Sequence, residues 1–533
     1  MKIPSLPSMT SSRLLALVAL YFTLIANIPF YKTVLSLYGN YDAFFFSIPI
    51  LVFFILNAIF QLLAVPYLHK VIIPLLLIIS SSIGYNALFY GVYFDKNMLD
   101  NVLLTSSTEA SKLITVPYVL WIIVFGIVPA VLYIKTKVDY RVWYKEIAVR
   151  IGMVALLVLV FGGVAKLYYQ DYASFFRNNK DTVHLIAPSN FIGAIIGKVK
   201  NDRQNNRPHE TIGMDAVQAK LDGAKRRVLV LVAGETTRAQ NWGLGDYARQ
   251  TTPQLAAMGD EIINFGDVSS CGTSTAVSLP CMFSVMDFDG FNGAAATKQD
   301  NALDIAQRSG VDVLWLDNDT GCKEVCNRVP TEDLTGTNDP KFCRNGECLD
   351  DILLQDFGKR LDNNPDKDLI IVLHTMGSHG PTYSERYTEA FRKFTPTCDT
   401  AEIAKCSQEE LVNTYDNGIL YIDNFLTTII KELKTRDTID SALYYISDHG
   451  ESLGENGIYL HSTPYAIAPE VQTKVPMVFW ASQGMREKLD NQCLHSNANH
   501  AYSQDNYFHT VLGLMDIQTS VYNQDKDILA KCR

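Results

Sequence analysis

The stretch 270–284 reads Ser-Cys-Gly-Thr-Ser-Thr-Ala-Val-Ser-Leu-Pro-Cys-Met-Phe-Ser. It sets three hydroxyls, Thr273, Ser274 and Thr275, between two cysteines and ahead of an apolar run. A hydroxyl beside the first turn of a helix can cap it by accepting an orphan backbone N–H. It can also be a nucleophile, with the same N–H groups facing an anion in front of it. Nothing local separates the three hydroxyls.

A second set of residues bears on that choice. Glu235 stands in Ala-Gly-Glu-Thr-Thr-Arg, His379 in His-Thr-Met-Gly-Ser-His-Gly-Pro, Asp448 and His449 in Ser-Asp-His-Gly-Glu, and His461 follows Leu460. Taken singly, a carboxylate here suits a helix N-terminus and an Asp-His pair suits a capped turn. Taken together, carboxylates and neutral imidazole make a divalent-cation site of the oxygen-and-nitrogen type. A cation held there would turn a weakly nucleophilic Thr hydroxyl into an alkoxide.

Those residues need a frame. From Arg226 onward, short apolar β-branched runs at 228–232, 311–316, 369–373, 442–446 and 475–480 alternate with helix-like stretches at 302–309, 351–361 and 413–433. Such runs predict strands buried on both faces. Their alternation with helices predicts a largely parallel sheet, in which ligands bind beyond the carboxyl ends of the strands. Glu235, His379, Asp448, His449 and His461 all fall at those ends.

Before this half, and up to about Tyr169, the chain is dominated by apolar segments at 14–31, 43–68, 71–94, 113–134 and 147–167. Each approaches or exceeds the roughly 20 residues that a helix needs to cross a bilayer. Five spans are therefore expected for residues 1–169, an interfacial linker for 170–207 and a soluble domain for 208–533. Lys2, Arg13, Lys70 and the basic cluster from Lys135 to Arg150 mark one side; Lys32, Lys96 and Lys112 mark the other. The positive-inside rule puts the N-terminus in the cytoplasm and the C-terminal half outside. The connection 95–112 is polar and reads as one helix, with Asn101, Thr105 and Glu109 sharing a face at i, i+4 and i+8. That face is either simply solvated or a polar strip beneath whatever sits on the outer membrane surface.

All ten cysteines lie at or beyond Cys271. They fall into the pairs Cys271/Cys281, Cys322/Cys326, Cys343/Cys348, Cys398/Cys406 and Cys493/Cys532, which suggests disulfides and an oxidising compartment. The competing reading is a zinc site of Cys322, Cys326, Cys343 and Cys348, although neither spacing is C-x2-C. The formal net charge of −10 gives no support to nucleic-acid binding.

The motifs around Glu235, Thr275 and Asp448-His449, the last reading Ser-Asp-His-Gly-Glu-Ser-Leu-Gly-Glu-Asn-Gly, resemble those of the bacterial membrane phosphoethanolamine transferases that modify lipid A and confer polymyxin resistance. The resemblance covers nearly the whole chain. It implies a bundle of five transmembrane helices followed by an alkaline-phosphatase-like (sulfatase-like) α/β domain on the periplasmic face of the inner membrane. It implies zinc held by Glu235, Thr275, Asp448 and His449, with Thr275 as nucleophile. It further implies contacts to the phosphoethanolamine group from Asn101, Thr105 and Glu109, and an active-site rim that includes Lys323, His379 and His461, with Thr320 nearby. Gly290 departs from the family where some relatives carry an acidic residue; Asp289 is adjacent.

The reaction implied is two-step. Thr275 takes phosphoethanolamine from phosphatidylethanolamine, releasing diacylglycerol, and a lipid A phosphate then receives it. Membrane lipids are thus the expected partners, nucleic acid is not, and the chain is expected to act as a monomer. Three rivals stand beside this reading. One is transfer to a core heptose or a protein glycan; another is a membrane phosphatase or sulfatase; the third is a non-catalytic lipid-binding relative. The usual sulfatase pattern Cys-x-Pro-x-Arg is not seen around Thr275, and the intact set of four residues argues against a non-catalytic role.

Overall fold

In the computed structural model, residues 8–62, 65–105, 107–205, 208–219, 223–401 and 403–533 are described. The chain divides into two compact units. One comprises Met1–Leu99 with Ile114–Gly197, the other Asp100–Leu113 with Lys198–Arg533.

The first unit is built from long apolar helices: α1 (Ser11–Tyr21), α2 (Ile28–Tyr38), α3 (Ala43–Leu62) and α4 (His69–Tyr90). The short helix α5 (Lys96–Leu104) begins in this unit and ends in the second, which also holds α6 (Ser107–Leu113); the first unit resumes with α7 (Val116–Ile122), α8 (Val128–Lys135), α9 (Trp143–Asn178) and the start of α10 (Ser189–Asn205). Among the described residues, four stretches are long and apolar enough to cross a membrane: α3, α4, Val116–Lys135 and Trp143–Tyr168. The expected first span is a bent pair, Ser11–Ala26 and Ile28–Tyr38, meeting at 49°. It brings the number to five if it counts as one crossing. The bend has a local and a distant cause. Pro29 opens α2, and the buried Asn27 side chain donates to the carbonyls of Phe22 and Ala187 and accepts from the Ala187 N–H.

The single helix expected over 95–112 is instead two. α5 and α6 are separate elements, and the Thr105 hydroxyl folds back onto the Asn101 carbonyl at 2.8 Å where α5 ends. The break falls in a Ser/Thr-rich stretch of the sequence, a composition that disfavours an unbroken helix. The periodicity argument for a shared face of Asn101, Thr105 and Glu109 therefore does not hold. The Glu109 side chain lies outside the described residues.

The second unit carries the sheet. Its strands are β1 (Arg226–Gly234), β2 (Ile262–Phe265), β3 (Asp312–Asp317), β4 (Thr331–Asp333), β5 (Leu369–His374), β6 (Ile439–Ser447) and β7 (Met477–Ala481). They lie in the order β2-β7-β6-β1-β5-β3-β4. From β6 through β4 every pairing is parallel. The run expected at 475–480 is β7, and it lies antiparallel to both β6 and β2. Central strands are buried throughout, as continuous apolar runs require. On one face Leu229, Leu231, Ile370, Val372, Ala442 and Tyr444 join a core that includes Leu279, Met282 and Phe283 of α11 (Thr275–Phe283). That apolar anchor fixes the helix and leaves its first residue at the sheet edge. The helix expected at 413–433 is α12 (Gln408–Lys434), started by a Ser407/Glu410 capping box. The one expected at 351–361 is broken into a 3-10 turn and a short helix by Asp356 in left-handed conformation.

Candidate metal and nucleophile site

Two neighbouring parallel strands deliver Glu235, Asp448 and His449. Register places Ser447 opposite Gly234 and His374 opposite both Ala233 and Asp317, so the ends of β6, β1, β5 and β3 align. Glu235 follows β1 directly and Asp448-His449 follow β6. Gly377, at φ +51°, lets the loop after β5 run against the Glu235 backbone, where the Ser378 N–H donates to the Glu235 carbonyl.

The structure separates the three hydroxyls of the Thr273–Thr275 run. Thr273 donates to the Thr463 carbonyl at 2.6 Å. Ser274 occupies the N-cap of α11 with no capping side-chain bond. Thr275, the first helical residue, lies 3.0 Å from Glu235 Oε2 and 3.4 Å from His449 Nε2. The helix-cap position thus belongs to its neighbour, and Thr275 points its oxygen at the acidic cluster.

Around that oxygen, His449 Nε2 lies 3.3 Å from Glu235 Oε1 and 3.4 Å from Asp448 Oδ2. All four side chains are buried. His449 Nδ1 sits 2.8 Å from the Gly450 carbonyl, which can only accept, so Nδ1 carries the proton and Nε2 offers its lone pair to the cluster. Glu235 Oε1 and Asp448 Oδ2 have no hydrogen-bond partner despite full burial. Burial first, and then the Asp448 and Asp319 carboxylates, push the Glu235 carboxyl well above its ordinary range. Uncompensated buried acids of this kind are what a cation repairs. Ligand atoms of Glu235, Asp448 and His449 all lie within 4.8 Å of one another, and their chemistry fits a divalent ion such as zinc.

Residues that sequence reasoning missed hold this arrangement. Buried Gln504 donates to the Ser447 and Asp448 carbonyls and accepts from the Cys271 N–H at 2.7 Å. It thereby joins the loop before α11 to the loop after β6. Its signal in sequence is nil, since it lies over fifty residues from either loop. Glu451 accepts from the Tyr383 hydroxyl and lies 2.9 Å from His461 Nδ1. Asp317, Asp319 and His374 stand at strand ends, where the rule that found Glu235 would also have found them.

The expected rim is partly assembled. The His461 ring centre lies 4.6 Å from that of His449 and 5.2 Å from that of His379. Asn101 donates to the Ser462 hydroxyl at 2.9 Å, and Ser462 N–H donates to the Thr273 carbonyl. Thr105 is occupied within its own helix end. Lys323 folds back to donate to the carbonyl and hydroxyl of Thr320. A cavity of about 460 Å³ opens here, lined among others by Asn318, Asp319, Thr320, Asp333, Glu347 and His379. α6 is moored by Lys112, which pairs with Glu347 and Glu385.

All ten cysteines form the five expected bridges, Cys271–Cys281, Cys322–Cys326, Cys343–Cys348, Cys398–Cys406 and Cys493–Cys532. The four-cysteine zinc reading is thereby overturned. Cys271–Cys281 ties the loop before α11 to the helix body.

Residues 52–203 match the family described as phosphoethanolamine transferase EptA/EptB, and residues 227–517 match the sulfatase family. The chain is 41% identical to phosphoethanolamine transferase EptA of Escherichia coli K12, covering 99% of this chain and 98% of that one. It is 39% identical to phosphatidylethanolamine transferase Mcr-1 of Escherichia coli, over 88% of this chain and 89% of that one. Among solved structures, the integral membrane lipooligosaccharide phosphoethanolamine transferase A of Neisseria meningitidis superposes with a TM-score of 0.96 at 54% identity, covering 99% of this chain and 100% of that one. The chain belongs to the EptA/EptB family of phosphoethanolamine transferases, membrane proteins whose catalytic part is sulfatase-like.

Proposed function

We propose that this enzyme moves phosphoethanolamine from phosphatidylethanolamine to a phosphate of lipid A through a covalent intermediate on Thr275. The observation that carries the reading is the Thr275 hydroxyl, within 3.4 Å of both Glu235 and His449, in a buried donor set with two unpartnered carboxylate oxygens. Glu235, Asp448, His449 and Thr275 would hold a zinc ion. Bound there, it supplies charge that ionises the threonine hydroxyl and neutralises the phosphoryl oxygens.

The Thr275 oxygen attacks phosphorus, the bond to the glycerol oxygen breaks, and diacylglycerol leaves with a proton. In the second half a lipid A phosphate oxygen attacks the same phosphorus, and the Thr275 oxygen departs and regains a proton. The first N–H groups of α11 face the transferred phosphoryl group. His461, held by Glu451, and the neighbouring His379 serve the leaving and attacking oxygens as proton carriers. The 460 Å³ cavity gives the headgroup room, with Asn101, Thr105, Glu109 and Lys323 as its proposed contacts. The apolar helices fit an inner-membrane anchor with a cytoplasmic N-terminus, and the five disulfides fit a periplasmic catalytic domain. Capping lipid A phosphates would lower outer-membrane negative charge, and with it polymyxin binding.

Mass spectrometry of lipid A from cells expressing the native chain or Thr275→Ala tests the reading. The native chain should add phosphoethanolamine and the variant none. A gain on core sugars alone would move the acceptor to a heptose, and full activity of folded Thr275→Ala would end the threonine mechanism.

A further inference from the structure

A second group of buried ligands adjoins the first. Asp319 and His374 present ligand atoms that lie, with one from Glu235, within 4.8 Å of one another. The three side chains are 4%, 1% and 0% exposed respectively, so none can be satisfied by bulk water. His374 Nδ1 lies 3.0 Å from Asp317 Oδ2, which also accepts from the Trp315 indole at 2.8 Å. The other oxygen of Asp317 accepts from the backbone N–H groups of Asp319 and Gly321. Asp317 is therefore immobilised on both oxygens, orients the imidazole and places its proton on Nδ1. That is the carboxylate–histidine support found behind metal-ligating imidazoles.

What this support aims is unpartnered. His374 Nε2, Asp319 Oδ1 and Glu235 Oε1 are buried atoms without a hydrogen bond. His374 Nε2 stands 3.7 Å from Asp319 Oδ2, beyond hydrogen-bond reach. Two donors each about 2.1 Å from a shared ion sit roughly 3–4 Å apart, so the spacing suits ligands of a cation better than partners of each other. Charge points the same way. Glu235, Asp317, Asp319 and Asp448 place four buried carboxylates at adjoining strand ends.

We propose that Glu235, Asp319 and His374 hold a second divalent cation, of the class that accepts mixed oxygen and nitrogen ligands, such as Mn2+ or Zn2+. Glu235 is shared between this ion and the one in the Thr275 site, so the second site rests on the first centre proposed above. The second ion binds neither Thr275 nor His449. It fixes the Glu235 carboxylate from behind, which makes Asp319 and His374 positioning residues for the transfer site.

The full-length chain, purified in detergent, is stripped with chelator, reloaded with Mn2+ and freed of excess. Metal per chain is read by atomic emission and the spin state by electron paramagnetic resonance. The native chain should bind about two ions with an exchange-coupled spectrum, because a shared carboxylate joins them. His374→Gln and Asp319→Asn should each bind about one, uncoupled, as should Asp448→Asn from the other side. Circular dichroism identifies the folded variants, and either His374→Gln or Asp319→Asn suffices. A native chain with one ion that survives His374→Gln and Asp319→Asn but is lost in Asp448→Asn overturns the second site and leaves the first standing. One ion lost in His374→Gln but kept in Asp448→Asn supports the second site and removes the first.

Discussion

Gly377 rests directly on the backbone of Glu235: a Cβ added at 377 would fall 2.4 Å from the Glu235 carbonyl oxygen and 2.9 Å from its nitrogen. Neither atom can yield without moving the residue that joins the two proposed ion sites. Gly377 also holds φ at +51°, which costs an L-residue roughly 1–2 kcal/mol by itself. Gly377→Ala should therefore lower the unfolding midpoint and, at temperatures where the protein remains folded, reduce bound metal and transfer together. Unchanged metal content with reduced transfer would show that the contact governs the loop after β5 and not Glu235.

Gln504 spans the loops carrying Cys271 and Asp448. Gln504→Ala leaves two carbonyls and one N–H buried without their partner, at about 1–3 kcal/mol for each group that finds no replacement. The expected result is a loss of stability accompanied by a fall in kcat, with KM for the lipid donor little changed. Thermal unfolding and steady-state kinetics on the same preparation check both parts.

Much of this frame was readable from residues alone, and for a physical reason. Strands buried on both faces must be continuously apolar, so β1, β3, β5 and β6 announce themselves, and the polar residues after them are conspicuous. Glu235, Asp448 and His449 were found that way. Close cysteine spacing likewise points to four of the five bridges, and Cys493–Cys532, 39 residues apart, is the pair left over. Other features depend on partners distant in sequence. Nothing near Thr275 in sequence distinguishes it from Thr273; what separates them is that Thr273 meets the Thr463 carbonyl and Thr275 meets Glu235 and His449. The antiparallel course of β7 reflects its neighbours, since an apolar run carries no direction. The bend at Asn27 needs Ala187, 160 residues away.

Glu451 determines how His461 is presented. Its carboxylate holds the His461 Nδ1 side on one oxygen and the Tyr383 hydroxyl on the other, and it is fully buried. Glu451→Gln keeps the volume but turns one acceptor into a donor, so the imidazole loses a fixed tautomer. Positioned proton transfer contributes about 10²–10⁴-fold, and losing the orientation should remove a fraction of that, lowering kcat at least tenfold. His461→Ala should be slower still. The double variant should be no slower than His461→Ala, since Glu451 acts through that ring. Additive losses in the double variant would mean that Glu451 has a separate role.

Glu347 makes the mooring of α6 sensitive to acid. Its carboxylate accepts from Arg386 Nη1 at 2.6 Å and from Lys112 Nζ at 2.5 Å. Burial alone would raise its pKa, but Arg386 and Lys112 together outweigh burial and hold it at about 2. A carboxyl whose folded pKa lies below its unfolded value contributes stability that is complete above the unfolded value and is lost as pH falls through the folded one. From the usual value near 4.5 down to about 2, this amounts to roughly 3 kcal/mol. Glu347→Gln should therefore be less stable than the native chain by a constant margin above about pH 5. The margin should shrink steadily toward pH 2 as the native carboxylate itself takes up a proton. Denaturant melts of the two proteins across that range measure the gap directly, and a gap that stays constant to pH 2 would assign the loss to packing instead of charge.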